Sequence, residues 1–316
     1  MSKIDEIIEK GLLARNIEEI DLRKNTGIFV KIAIISETTS HLIIRNNEPT
    51  ETTSEEFFGD ERVVIPASKW RGAERSFILS WLRRIDGIIP KEYERNAVQK
   101  KNLLKNPISL LFGDSSTGQN KEATSIASRN YYDWSFSFEP LPEITERLVH
   151  NSLSDSGTIL MDEKGQVQPN AIYNTQYIKP GVKFVRFVTL ENVSKELLIL
   201  QLIAIIGTTR YGARTSILGD NVKNKVIAIG FSKSDKPVSS YTIMEALWNK
   251  KSNNIEEEVI KQMKYSYGDD LLIQDDIENF LSETKEVMKN KDILKNICKL
   301  IVQKMDSDWK EFFGRS

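Results

Sequence analysis

The chain has one cysteine and two histidines among 316 residues. Cys298 standing alone excludes an intramolecular disulfide and fits a reducing cytoplasm. With only His41 and His150 beside it, a Cys/His zinc centre cannot be assembled, so neither a metal nor a cofactor is expected. Long apolar runs are missing as well. The longest, LLILQLIAIIG from Leu197 to Gly207, falls well short of the roughly 18 residues that read as a membrane span, so no membrane partner is expected. The start, MSKIDEIIEK, is acidic and amphipathic and has no signal-peptide core. Neither GxxxxGK[ST] nor G-x-G-x-x-G occurs, which removes the two commonest phosphate-binding fingerprints.

Net charge is absent too, with 44 Lys and Arg against 45 Asp and Glu. Its distribution is uneven. Between Arg62 and Ile85 lie Arg62, Lys69, Arg71, Arg75, Arg83 and Arg84 with Glu74 as the lone acid. Between Gly207 and Lys225 lie Arg210, Arg214, Lys223 and Lys225 against Asp220. The stretch 46–61 carries Glu48, Glu51, Glu55, Glu56, Asp60 and Glu61 and no base. A local basic surface attracts anionic ligands whatever the total charge.

Hydrophobic periodicity gives an α+β chain. GIFVKIAIIS (27–36) reads as a buried strand, and HLIIR as a short one inside a polar, acidic segment. RVVIP is a second strand, followed by a helix over SKWRGAERSFILSWLRRI, where Trp70, Ala73, Phe77 and Trp81 recur at helical spacing with Ser68 as its cap. A basic helical insertion (86–110) leads to a loop at LLFGD, and ATSIASRNYYDWSFSFEP (123–140) reads as one long strand. Its aromatic face, Tyr132, Trp134, Phe136 and Phe138, is expected to pack in the core rather than stack on bases. Residues 150–180 read as an extended hairpin, VKFVRFVTL as a strand, and SKELLILQLIAII as a helix capped by Ser194. The glycine-rich loop GTTRYGARTSILGD then leads to strand KVIAIGF. Two strand–helix–strand units imply a modified ferredoxin-like, RNA-recognition-type core over residues 1–231. Residues 232–316 read as a peripheral helical domain without strands.

Two stretches carry the chemistry. In SKWRGAER, Lys69 falls in the first helical turn, where unpaired N–H groups and the dipole favour an anion, and Arg71 and Arg75 are neighbours four residues apart. Gly72 within that helix costs about 1 kcal/mol relative to alanine, which is explicable if something must approach the backbone. Read alone, the helix serves equally as a solvated basic face. In the glycine-rich loop, Gly212 frees the backbone while Arg210, Tyr211 and Arg214 supply charge and a stacking face. The acids of 46–61 could bind a divalent metal, though a solvated loop is the simpler reading.

In order along the chain, IPASKWRGAER, LLFGD, ERLVHNSLSDSGTI with YNTQYIKPGVKFVRFVTL, and GTTRYGARTSILGD resemble the signatures of the CRISPR-associated RAMP superfamily. Within it the chain resembles the backbone subunits of Cascade-type effectors (the Cas-seven family), most closely the type I-D branch. The resemblance implies an RNA-recognition-like core, several copies per complex, and a thumb-like hairpin over 150–180. It further implies partners in crRNA, target DNA or RNA, further copies of the chain and other effector subunits. Carried over by motif, Ser68, Lys69, Arg71 and Arg75 grip guide phosphates, and Arg210, Tyr211, Gly212 and Arg214 line the same groove. Some relatives cut target strands with metal-bound acids after the first strand. That alternative makes Glu37, Glu55, Glu56 and Asp60 candidate catalytic residues here. The resemblance also allows a guide-processing endonuclease, which often uses a histidine as general base, and neither His41 nor His150 lies in a recognisable catalytic context.

Overall fold

The computed structural model describes residues 2–22, 24, 26–45, 50–97, 99–116, 124–151, 161–162, 164–166, 172–250 and 254–313. The first half runs α1 (Lys3–Glu9), β1 (Phe29–Thr38), β2 (Ser54–Phe57), β3 (Asp60–Ile65), α2 (Ala67–Leu82), α3 (Pro107–Phe112), β4 (Asp114–Ser116), β5 (Thr124–Ile126), β6 (Asn130–Tyr132) and β7 (Ser135–Phe136). The second runs α4 (Leu141–Ile144), β8 (Thr145–Asn151), β9 (Ile172–Ile178), β10 (Lys183–Glu191), α5 (Lys195–Gly207), α6 (Thr215–Leu218), β11 (Val222–Ser232), α7 (Ser240–Lys250), α8 (Ile255–Tyr267), β12 (Leu271–Leu272), α9 (Gln274–Lys289) and α10 (Lys291–Phe313).

The central sheet has the order β12-β11-β1-β10-β6, antiparallel throughout. Without β12 this is the ferredoxin-like order, in which each strand–helix–strand unit is split by a strand of the other. The first unit is β1–α2–β6 and the second is β10–α5–β11. The strand RVVIP, now β3, lies outside that sheet. It pairs with β2 and β7 in a small three-stranded sheet that carries the chain into α2.

Both faces of the central sheet are covered, as the unbroken apolar runs of β1, β10 and β11 require. One face buries Val30, Ile32, Ile34, Val188 and Leu190 against Ile78, Leu79 and Leu82 of α2 and the almost wholly apolar α5. The other face, Ala33, Ile35, Val185, Phe187, Ile227 and Ala228, is sealed by Ile243 and Leu247 of α7 and Val259, Met263 and Tyr267 of α8. Each of the Val, Leu, Ile, Phe and Met side chains among them contributes roughly 1.5–3 kcal/mol of burial. The C-terminal helices therefore share the cores of the sheet, and the face that an RNA-recognition domain leaves open is closed here. Any nucleic acid must be held elsewhere.

Several expectations are corrected. The long strand at 123–140 is broken into β5, β6 and β7, and its facing is reversed at the end. Ser135 and Ser137 are fully buried, accepting from Trp70 Nε1 (2.9 Å) and Val63 N (3.0 Å), while Trp134 is 46% exposed and not core. Small hydroxyls win the inner face because two groups there, an indole and an amide, need acceptors. HLIIR is not a strand: its apolar residues are buried, with one bridge from Leu42 to Ile178. The basic insertion 86–110 is mostly turns, with a short 3₁₀ helix at Lys101–Leu104 and α3, because Pro90 and Asn96, the latter at φ 61°, interrupt any longer helix. A strand also appears after residue 237, since β12 completes the free edge of β11. Ser194 does occupy the N-cap of α5, but its hydroxyl makes no cap bond. The hairpin is formed at its base by β8 and β9, while residues 152–160, 163 and 167–171 of the thumb-like segment lie outside the described residues.

One buried charge yields a stability test. Asp133, half-buried beside β6, has its pKa pushed up to about 6, by burial against the pull of Lys31, with Asp235 adding to the rise. The folded state therefore binds this proton more tightly than the unfolded chain, and stability falls as pH rises from about 4 through 6. Asp133→Asn is expected to gain about 1–2 kcal/mol at pH 7, after discounting for partial exposure, and nothing below about pH 4. Urea unfolding at both pH values checks the sign.

Candidate nucleic-acid interface

Helix α2 starts early. Pro66, with φ −59°, takes the N-cap position without a side-chain cap, so Ser68 is not the cap but the second helical residue. Its side is then free to face outward, and Ser68, Gly72, Ser76 and Ser80 recur every four residues along one face of α2. These small residues floor a groove of about 900 Å³. One wall is the glycine-rich loop: Gly207, Thr208, Thr209, Arg210, Gly212 and Ala213. Ile43, Ile44 and Arg45 line the groove beside that loop, which bonds to Ile43 O through Ala213 N at 3.0 Å, and Arg95 reaches in from the insertion. The two motifs singled out in the sequence, some 140 residues apart, thus face each other.

The loop is fixed by a few close contacts. Gly212 has φ 77°, and a Cβ there would stand 2.2 Å from the Ile43 carbonyl oxygen, so only glycine lets the loop lie on segment 42–45. Asn221, fully buried, accepts from Tyr211 N and donates to Tyr211 O, both at 2.9 Å. Tyr211 is not a stacking face in the groove. It is 1% exposed, its ring meets Trp70 edge-on at 4.9 Å, and its hydroxyl donates to Glu74 Oε1 at 3.0 Å.

Glu74 is the centre of a buried polar network. The lone acid of the basic stretch is fully buried and pairs with Arg186 of β10 at 2.6 Å. Tyr132 donates to it at 2.6 Å, and Gln201 of α5 bonds to Tyr132 at 2.8 Å. Arg186 also donates to Ser36 Oγ (2.8 Å) and Asn224 Oδ1 (3.2 Å) and lies over the Trp70 ring at 4.7 Å. Burial alone would lower the Arg186 pKa, but Glu74 and the neighbouring phenols push it up. Burial and the Glu74 charge hold the Tyr132 and Tyr211 hydroxyls well above the ordinary phenol value, so both stay protonated donors. The network ties α2, the loop, β1, β10 and β11 together beneath the groove.

The predicted site residues divide accordingly. Ser68, Lys69, Arg210 and Gly212 line the groove. Arg71 and Arg75 do not. Arg71 donates to the Phe112 carbonyl and lies over the Phe112 ring, and burial, then the nearby Arg75 charge, lowers its pKa. Arg75 is spent on Asp114 and Tyr93, both at 3.0 Å. The LLFGD motif thus supplies the counter-charge, Asp114, for the helix that precedes it. Arg214 sits at φ 55° at the start of α6, outside the groove lining. Arg45 and Arg95 were missed by the sequence reading. Arg95 donates to Gly72 O at 2.7 Å and to Ser76 Oγ, which holds it over the α2 floor.

The acids of the nuclease alternative do not converge. Glu37 stands in β1 opposite Lys183 and Lys223. Glu55 and Glu56 lie on β2 rather than in a loop, and Asp60 pairs with Arg62 at 3.2 Å. Glu51 pairs with Arg147 and Glu61 with Ser54, and Glu48 lies outside the described residues. Among the described residues no three His, Cys, Asp or Glu side chains come together as a metal site. His41 contacts Glu146 and His150 contacts Tyr177, at the base of the hairpin.

The family described as Csc2 Crispr matches residues 13–307. Among solved structures, the chain is similar to the crystal structure of Thermofilum pendens Csc2, at 14% identity over 94% of both chains with a TM-score of 0.58. It is similar at lower score to a chain of a CRISPR RNA-guided surveillance complex, pre-nicking, at 14% identity over 77% of this chain and 90% of that one, TM-score 0.49. No curated protein matches the chain. Among the described residues no helix is long and apolar enough to cross a membrane.

Proposed function

The chain belongs to the Csc2 CRISPR family, and on that premise we propose that it is the crRNA-binding backbone subunit of a type I-D effector complex, polymerising along the guide and presenting it to target DNA or RNA. Its partners are then the crRNA, further copies of itself and the other effector subunits, and its place is the cytoplasm. The observation that carries this reading is the groove itself. Four bases, Arg45, Lys69, Arg95 and Arg210, converge on a floor of small residues at the N-terminal half of α2. A flat floor lets a sugar–phosphate backbone come close, and the helix N-terminus adds a favourable field for phosphate. Among the described residues that line the groove the one aromatic is Phe77, half-buried against Gly207, while four bases surround the floor, so contact is chiefly through phosphate and sugar and largely independent of sequence. Pairing between guide and target then does the reading.

Lys69→Ala with Arg210→Ala is expected to weaken binding of an unrelated-sequence single-stranded RNA by roughly 10–30-fold near 0.1 M salt, and to reduce the slope of log K against log salt by about 1.4, two phosphates at about 0.7 each. Arg75→Ala, which removes a base outside the groove, is expected to leave that slope unchanged. A slope insensitive to Lys69 and Arg210 would put the RNA elsewhere.

A further inference from the structure

Asp220 is the one acid among the described residues that line the groove. It follows Gly219 and precedes the buried Asn221 that clamps Tyr211. Its Oδ1 accepts from Arg210 Nε and from Thr209 Oγ1, both at 2.9 Å. A carboxylate here opposes a bound polyanion in two ways: it repels phosphate directly, and it occupies the guanidinium that phosphate would use. The fold gains little in return. Arg210 and Asp220 are 66% and 63% exposed, and an ion pair that open contributes little to stability. The loop is held instead by Asn221, Tyr211 and Gly212.

The placement of Asp220 gives it a second effect. Together with Thr208 and Thr209 it forms a ridge shared with a neighbouring cavity of about 910 Å³ between β11 and α9. Beyond the ridge Lys223, Lys225 and Lys285 are offset by Glu256, Asp275 and Glu278, and Lys225 is already bound to Glu256 at 2.7 Å. The uncompensated basic track therefore ends at Asp220.

We propose that Asp220 is a specificity-determining residue of the groove: it competes with RNA phosphate for Arg210 and ends the basic track at the ridge. This keeps the grip of a single copy on stray RNA weak and leaves tight binding to several copies held side by side on one strand. The inference rests on the groove being the RNA site.

The test is a four-way comparison of the full chain, wild type, Asp220→Asn, Arg210→Ala and the double variant, binding a short single-stranded RNA of unrelated sequence across a salt series. Asp220→Asn keeps an acceptor for Thr209 but removes the charge. It is expected to bind roughly 3–10-fold more tightly than wild type, with a salt slope no shallower than the wild type's. In the Arg210→Ala background the same substitution is expected to gain less than about twofold, because the contested cation is gone and only the screened direct repulsion is relieved. Asp220→Glu, which restores the carboxylate, is expected to bind as wild type. Equal or weaker binding by Asp220→Asn overturns the proposal, and so does an equal gain with and without Arg210. Failure of the groove as the RNA site reads differently: wild type and Lys69→Ala/Arg210→Ala would then bind alike.

Discussion

Arg186→Ala is expected to destabilise the chain by about 3–5 kcal/mol, the cost of breaking a buried ion pair by removing one partner. Glu74 is fully buried, and without Arg186 its charge keeps only the Tyr132 and Tyr211 hydroxyls and the amide of Gln201 as partners. Ser36 and Asn224 lose a donor as well. Replacing both charges with methionine, Glu74→Met with Arg186→Met, is expected to be milder than either single loss, since no uncompensated charge remains in the core. The effect also reaches the groove, because Tyr211 hangs the glycine-rich loop from Glu74. Chemical denaturation of both variants, with RNA affinity measured where each is still folded, checks the two halves of this expectation.

Gly72→Leu is expected to separate stability from function in the opposite sense. A Cβ built at Gly72 meets nothing within 4 Å, so the leucine enters the groove without a backbone clash and displaces at most the Arg95 guanidinium that lies on Gly72 O. Removing a mid-helix glycine stabilises α2 by up to about 1 kcal/mol. RNA affinity is nonetheless expected to fall at least about tenfold, since the leucine stands where the backbone must approach the floor. Gly72→Ala, with a single methyl, is expected to share the stabilisation and retain most of the binding. Leucine with undiminished binding would remove α2 from the interface.

The fold was largely legible because its signals are periodic and local. β1, β10, β11 and α5 stand out as apolar runs, and two strand–helix–strand units imply the split-unit sheet. What was not legible depends on tertiary demand. Ser135 and Ser137 turn inward because Trp70 and Val63 need acceptors, and Trp134 is left outside. Periodicity cannot show that. The two motifs were legible as stretches, and Lys69 and Arg210 of the two line one groove. Which of their side chains are engaged elsewhere was not, since Arg75 and Tyr211 look as available as Arg210 until Asp114 and Glu74 are placed. The four-residue spacing of Ser68, Gly72, Ser76 and Ser80 was a signal that could have been found, since small residues on one helix face mark a surface something else must approach. Arg45 and Arg95 carried no such mark.

The most direct test of the central claim is where RNA touches the chain. Photo-cross-linking of a 4-thiouridine-substituted single-stranded RNA of unrelated sequence, followed by peptide mapping, is expected to place contacts in residues 67–80 and 207–215, with 43–45 and Arg95 beside them. Cross-links confined to the exposed aromatics of α7 and α8, Tyr241, Trp248 and Tyr265, with none in the groove, would contradict it.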